Sequence, residues 1–198
     1  MNKTKKKVYL FCVGVALMVA NFTIGIGNIN LNILPGFVGC LLFFPLAGYY
    51  RRESILARGL RVLTVPAAVY AAIVYFLTLF QYTEVSTTWW GVALAFFETS
   101  IDLILCYLFL LSLHNTGAFR KNDAPGMHTA MVWFWLMAVS AVGVYFCSGV
   151  MAVVCRLIQC VAAVLYAVFG ARAIVELDKG KDSRPGGVKS MKYAGRKN

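Results

Sequence analysis

Two acidic residues, Glu98 and Asp102, stand four apart inside one apolar run, and Arg156 and Gln159 stand three apart inside another. A charged group within a membrane span costs about 2.5–3.5 kcal/mol on insertion scales unless it is paired or faces water. The spacing of four puts Glu98 and Asp102 on one helix face, with Cys106 a turn further along. Two carboxylates that close in a low dielectric resist double ionisation, so the pair is expected to share a proton near neutral pH. Gln159 lies on nearly the same face as Arg156 and can donate to whichever carboxylate oxygen stays open. Two readings follow. In one, Arg156 forms an interhelical ion pair with Glu98, with or without Asp102, that fixes packing. In the other, the cluster is a polar site near the bilayer midplane that binds a cation, a proton or a polar solute.

Other chemistry is poorly supplied. The chain has no H-E-x-x-H, no G-x-S-x-G and no Gly-rich phosphate loop. His114 and His128 bracket an internal loop, with Ser112 two residues before the first; a lone His at a span end reads as an interfacial polar residue. The six cysteines (Cys12, Cys40, Cys106, Cys147, Cys155, Cys160) fall in apolar stretches without a C-x-x-C pair or a His at ligand spacing. They read as small buried hydrophobes. The expectation is therefore no enzyme, no metal and no cofactor.

The elements that must position the cluster are transmembrane helices. Of 198 residues, 60% are apolar and 14% charged, whereas a water-soluble domain carries about 25% charge. The apolar runs are about 20 residues long, enough to cross a hydrocarbon core of about 30 Å. The pattern predicts an all-α polytopic bundle with spans near residues 8–26, 36–50, 62–80, 89–113, 129–146 and 150–176. Residues 1–7 form a basic N-terminus and 177–198 a basic, disordered tail. The first apolar stretch is too long for a secretory signal and lacks a small-x-small cleavage site, so it is read as a retained span.

Between spans one and two, the stretch GNINLNILPG carries Asn28, Asn30 and Asn32 at alternate positions before Pro35–Gly36. A plain external turn is the simpler reading; a re-entrant element lining a site is the other. Asn21 falls inside span one, where an interhelical hydrogen bond suits it better than glycosylation. Pro66 is placed in the first turn of span three, where the lost N–H matters least. Trp89 and Trp90 suit a membrane interface. Cys147–Gly149 makes a tight hairpin of spans five and six. Arg172 is near enough to the end of span six to reach the headgroups, and Ala163, Ala167 and Ala171 permit close helix approach.

Lys and Arg fix the expected orientation. Residues 1–7, 51–61, 114–128 and 177–198 hold 4, 4, 2 and 7 of them, and the alternate segments 27–35, 81–88 and 147–149 hold none. Six spans with both termini in the cytoplasm satisfy this asymmetry, and a cell-membrane location follows. The net charge of +11 is thereby explained by topology, without nucleic acid as a partner. Arg51, Arg52, Arg58 and Arg61, together with the tail, form an expected contact with anionic lipid headgroups.

The stretch NINLNILPGFVGCLLF, followed by RRESILARGLR, resembles an uncharacterised family of small multi-span proteins of Gram-positive bacteria. That family shows an Asn-Ile-Asn element, then Leu-Pro-Asp-Phe-Ile-Gly, then a basic loop with a Glu-Ser pair. The resemblance covers about the first 65 residues and implies a small polytopic membrane protein; it carries no assigned activity. Gly36 stands where the family often has Asp, so a role resting on that carboxylate is not implied here. Two functions are weighed on this basis: a transport component binding a small solute or ion, and a non-catalytic accessory protein whose ion pair is structural.

Overall fold

A computed structural model describes residues 3–19, 23–26, 29–32, 36–81, 89–116 and 125–182. Among them the chain forms helices α1 (Lys3–Val19), α2 (Gly36–Tyr50), α3 (Ile55–Gln81), α4 (Trp89–His114), α5 (Pro125–Phe146) and α6 (Val150–Asp182), with strands β1 (Thr23–Ile26) and β2 (Ile29–Asn32) between α1 and α2. Each helix packs on the next in chain order and α6 closes back on α1, while α4 also touches α1, α2 and α6. The result is an all-α bundle in which α4 has the most neighbours.

Four helices, α3 to α6, are long and apolar enough to cross a membrane, and only 22 to 33% of each apolar window is buried inside the protein. The exterior therefore presents Val69, Ile73, Phe97, Val139, Leu157, Val161 and similar side chains outward. An apolar exterior of this extent needs hydrocarbon as its solvent, which makes this a membrane protein. Inside, Phe11, Phe43, Phe109 and Tyr166 are fully buried. Phe11 lies 5.0 Å from Phe109 and 5.5 Å from Tyr166 between ring centroids, and Phe43 meets Phe109 edge-on at 5.6 Å.

Several boundaries differ from the sequence pattern. Span one is expected over 8–26, but α1 ends at Val19 and Thr23–Ile26 pair antiparallel with Ile29–Asn32, from Thr23↔Asn32 to Ile26↔Ile29. The segment read as a plain turn is thus a β-hairpin. Thr23, Ile24 and Ile26 are β-branched, and Gly27–Asn28 is a dipeptide that favours two-residue hairpin loops. The register pairs Thr23 with Asn32 and Gly25 with Asn30. Asn21, Asn28, Arg120, Lys121, Asp123 and the tail beyond Asp182 lie outside the described residues.

The predicted basic loop 51–61 shrinks to residues 51–54. The amides of Glu53 and Ser54 donate to the Tyr50 carbonyl at 3.0 and 3.1 Å, and Ser54 Oγ accepts from the Ala57 amide at 3.4 Å, starting α3 at Ile55. Arg58 and Arg61 consequently sit in the first turns of α3. Arg58 Nε donates to the Arg51 carbonyl at 2.9 Å, and the Arg61 guanidinium stacks 4.3 Å from the Phe44 ring centroid. The same early start moves Pro66 from a first turn to the helix interior. Likewise α5 begins at Pro125 rather than Thr129, with Pro at the first helical position where its missing N–H is harmless. At the far end α6 continues past Glu176 to Asp182. The α5–α6 hairpin is as tight as expected, turning on Gly149 at φ 58°.

The α1–α2 crossing depends on glycine. A Cβ on Gly39 would lie 2.7 Å from Met18 Cγ and 2.8 Å from the Gly14 carbonyl oxygen, so the two backbones approach as small residues allow. Gly39→Ala is expected to cost about 1–3 kcal/mol through overpacking and to lower the melting temperature in detergent. Gly48→Ala, which meets nothing within 4 Å, should leave it unchanged or slightly raised.

Candidate functional site

The helix that carries both carboxylates is held by tyrosine hydroxyls from three neighbours. Tyr70 of α3 donates to the Leu94 carbonyl at 3.1 Å, Tyr145 of α5 to Ala95 at 2.9 Å, and Tyr166 of α6 to Cys106 at 2.9 Å. Tyr145 Oη also lies 2.8 Å from Thr99 Oγ1. These bonds bracket Glu98 and Asp102 along α4 and fix the face on which they stand. In a hydrocarbon environment such interhelical bonds each contribute about 0.6 kcal/mol, and their larger effect is on register.

That face opens into a cavity of about 40 Å³, measured as space open to a water-sized molecule. Its lining includes Glu98, Thr99, Asp102, Cys106, Tyr145, Arg156 and Gln159, with Met18 and Gly36 from the other side. At roughly 10–15 Å³ for each water, it has room for about three. All four residues singled out in the sequence, Glu98, Asp102, Arg156 and Gln159, come to this one space. Asp102 is only 9% exposed and accepts a hydrogen bond from the Cys40 thiol at 3.3 Å. Glu98 is half-buried, and its Oε1 lies 3.5 Å from where a Cβ on Gly36 would be.

Arg156 does not pair with either carboxylate. Its Nη1 donates to Gln159 Oε1 at 3.0 Å, while ion pairs do form elsewhere in the bundle, at Lys7–Asp178 and Arg172–Glu176. The ion pair of the first reading, Arg156 with Glu98 and with or without Asp102, is therefore not formed: Arg156 is exposed and bonds Gln159, while Asp102 is buried and bonds Cys40. Among the described residues no group of His, Cys, Asp and Glu side chains could hold a metal ion.

Comparisons with protein-family models, curated proteins and solved structures find no match to this chain. The geometry is thus the ground for any functional reading.

The remaining candidates are placed elsewhere. Asn30 and Asn32 lie in β2. His114 ends α4 and His128 lies in the first turn of α5, while the Ser112 hydroxyl is buried and donates to the Phe109 carbonyl at 2.7 Å. All six cysteines are free thiols.

Beyond the cavity, towards the chain termini, the aromatic cluster of Phe11, Phe43, Phe109 and Tyr166 fills the bundle axis, and beneath it comes an ion pair that sequence reasoning missed. Lys7 Nζ lies 2.7 and 2.8 Å from the Asp178 oxygens, Thr4 Oγ1 donates to Asp178 at 2.8 Å, and the Tyr50 ring centroid is 5.1 Å from the ammonium. Both partners read as tail residues in sequence; helical continuation at both ends of the chain brings them together. Their side chains are 11 and 12% exposed. Asp178→Leu or Lys7→Met alone is expected to destabilise by about 3–5 kcal/mol, because each strands a buried charge, whereas the double variant should recover most of the loss. Thermal unfolding of the three variants checks this as a double-mutant cycle.

Proposed function

We propose that this chain is a transport component of the cell membrane, with six helices crossing the bilayer and both termini in the cytoplasm, and that it binds a small solute or ion at Glu98, Asp102, Arg156 and Gln159. The observation that carries the reading is the unpaired state of the cluster: opposite charges line one polar cavity and no salt bridge closes it. A purely structural cluster in hydrocarbon would form that pair, since an unpaired charge at depth is costly. The orientation rests on the alternation of basic and uncharged segments along the chain.

The layering along the bundle axis supports the same reading. The cavity adjoins Val19 and Gly36, which flank the hairpin, and the aromatic cluster and the Lys7–Asp178 pair lie on its other side. That order leaves the cavity nearer the hairpin end, the external end in this orientation. The accessory reading keeps one supporting observation, the exposed Arg51, Arg52 and Arg58 at the end of α2 and start of α3, which suit anionic headgroups. Such a basic edge accompanies many membrane proteins and is compatible with transport.

The test is thermal stability in detergent of the wild type, Glu98→Gln, Asp102→Asn and Arg156→Gln, with a panel of cations and small polar solutes. The expected outcome is that the variants stay folded and one additive stabilises the wild type alone, by about 2.7 kcal/mol when present at 100 times its dissociation constant. Strong destabilisation by Arg156→Gln and Glu98→Gln that is less than additive in the double variant, with no additive active, would return the cluster to a structural role.

A further inference from the structure

The charges around the cavity narrow what it could hold. Arg156 at its edge has no carboxylate partner, and the only side-chain bond it makes among the described residues goes to a neutral amide, Gln159. In the same lining, Asp102 is nine-tenths buried; one of its oxygens accepts the Cys40 thiol, and the other has no hydrogen-bond partner among the described residues. Glu98 adds a second carboxylate on the same wall, and Thr99 and Tyr145 add hydroxyls.

Each simple ligand class leaves part of this lining unsatisfied. A bare cation would suit the carboxylates but face the guanidinium. An anion would suit Arg156 but face Glu98 and Asp102. A divalent metal finds no group of three or more His, Cys, Asp or Glu ligands among the described residues. A molecule carrying both charges a few ångströms apart satisfies both kinds of group at once: its carboxylate takes the forked guanidinium N–H groups, which match that group's geometry, and its ammonium takes the Asp102 and Glu98 oxygens. Size sets the upper limit, since about 40 Å³ corresponds to about three waters at roughly 10–15 Å³ each.

We propose that the cavity binds a small zwitterion of the glycine class, with its carboxylate on Arg156 and its ammonium on Asp102 and Glu98. The inference rests on the proposed function and names the ligand chemistry of the same site. It also accounts for the separation of Arg156 from the acids: a salt bridge between them would occupy both groups that the ligand needs.

The test uses the full chain in detergent and measures the shift in melting temperature, and then the affinity by calorimetry, for glycine, for its two halves methylammonium and acetate, and for sodium and potassium chloride. Glycine is expected to stabilise the wild type while neither half does so at equal concentration. Arg156→Gln and Glu98→Gln, both on residues that are not sealed in the core, should each weaken glycine binding by about 10- to 100-fold, as for loss of a charge-assisted bond, with Arg156→Lys retaining part of it. If methylammonium, sodium or potassium stabilises as well as glycine and Arg156→Gln keeps the effect, the zwitterion assignment is overturned and the site is a cation site, with the proposed function intact. If no compound in the panel shifts the wild type, the zwitterion assignment is overturned, and the binding function falls with it only where the wider solute panel is also inactive and Arg156→Gln and Glu98→Gln destabilise less than additively.

Discussion

Two carboxylates carried into a low dielectric by one helix impose most of the arrangement around them. Each costs several kcal/mol in hydrocarbon unless the protein surrounds it with polar groups or water, so α4 cannot lie at the rim of the bundle with that face to lipid. It is instead the helix with the most neighbours, pinned by Tyr70, Tyr145 and Tyr166 from three others. The same hydroxyls that hold α4 sit above and below Glu98 and Asp102, so positioning the helix and satisfying its surroundings are one structural solution.

The hairpin follows from the same constraint. α1 and α2 have 17 and 15 residues, about 26 and 22 Å of rise, short of a hydrocarbon core of about 30 Å. Gly36, the first residue of α2, is level with Glu98, roughly 13 Å along α4 from Trp89. The two strands of four residues pair in a ladder that satisfies backbone groups a bare loop would leave open. By stopping early, α1 and α2 leave the space beside Glu98 that extended helices would fill.

At the other end the bundle is closed by packing and charge together. Gly170 admits the Phe11 ring, whose Cε1 would be 2.5 Å from a Cβ there, and the aromatic cluster this permits fills the axis. The Lys7–Asp178 pair then ties the first helix to the last. A polar cavity at one end and a packed, ion-paired seal at the other give the structure a direction along its axis.

The sequence by itself determined the helical class, the approximate positions of the helices, the α5–α6 turn at Gly149 and four of the residues that line the cavity. These were legible because apolar run length, glycine punctuation and charges inside apolar runs are local signals set by the bilayer as solvent. Tertiary structure alone decided that Arg156 bonds Gln159 instead of an acid, since a depth count along two helices gives their level but not the rotation that separates them. It also decided the Lys7–Asp178 pair, whose members lie 171 positions apart and look like solvated tail residues until their helices are extended and set side by side. The hairpin falls between these cases: β-branched residues around Gly27–Asn28 announce it, yet in a chain dominated by apolar helices that signal is outweighed by hydrophobicity, which reads the same residues as the end of a span.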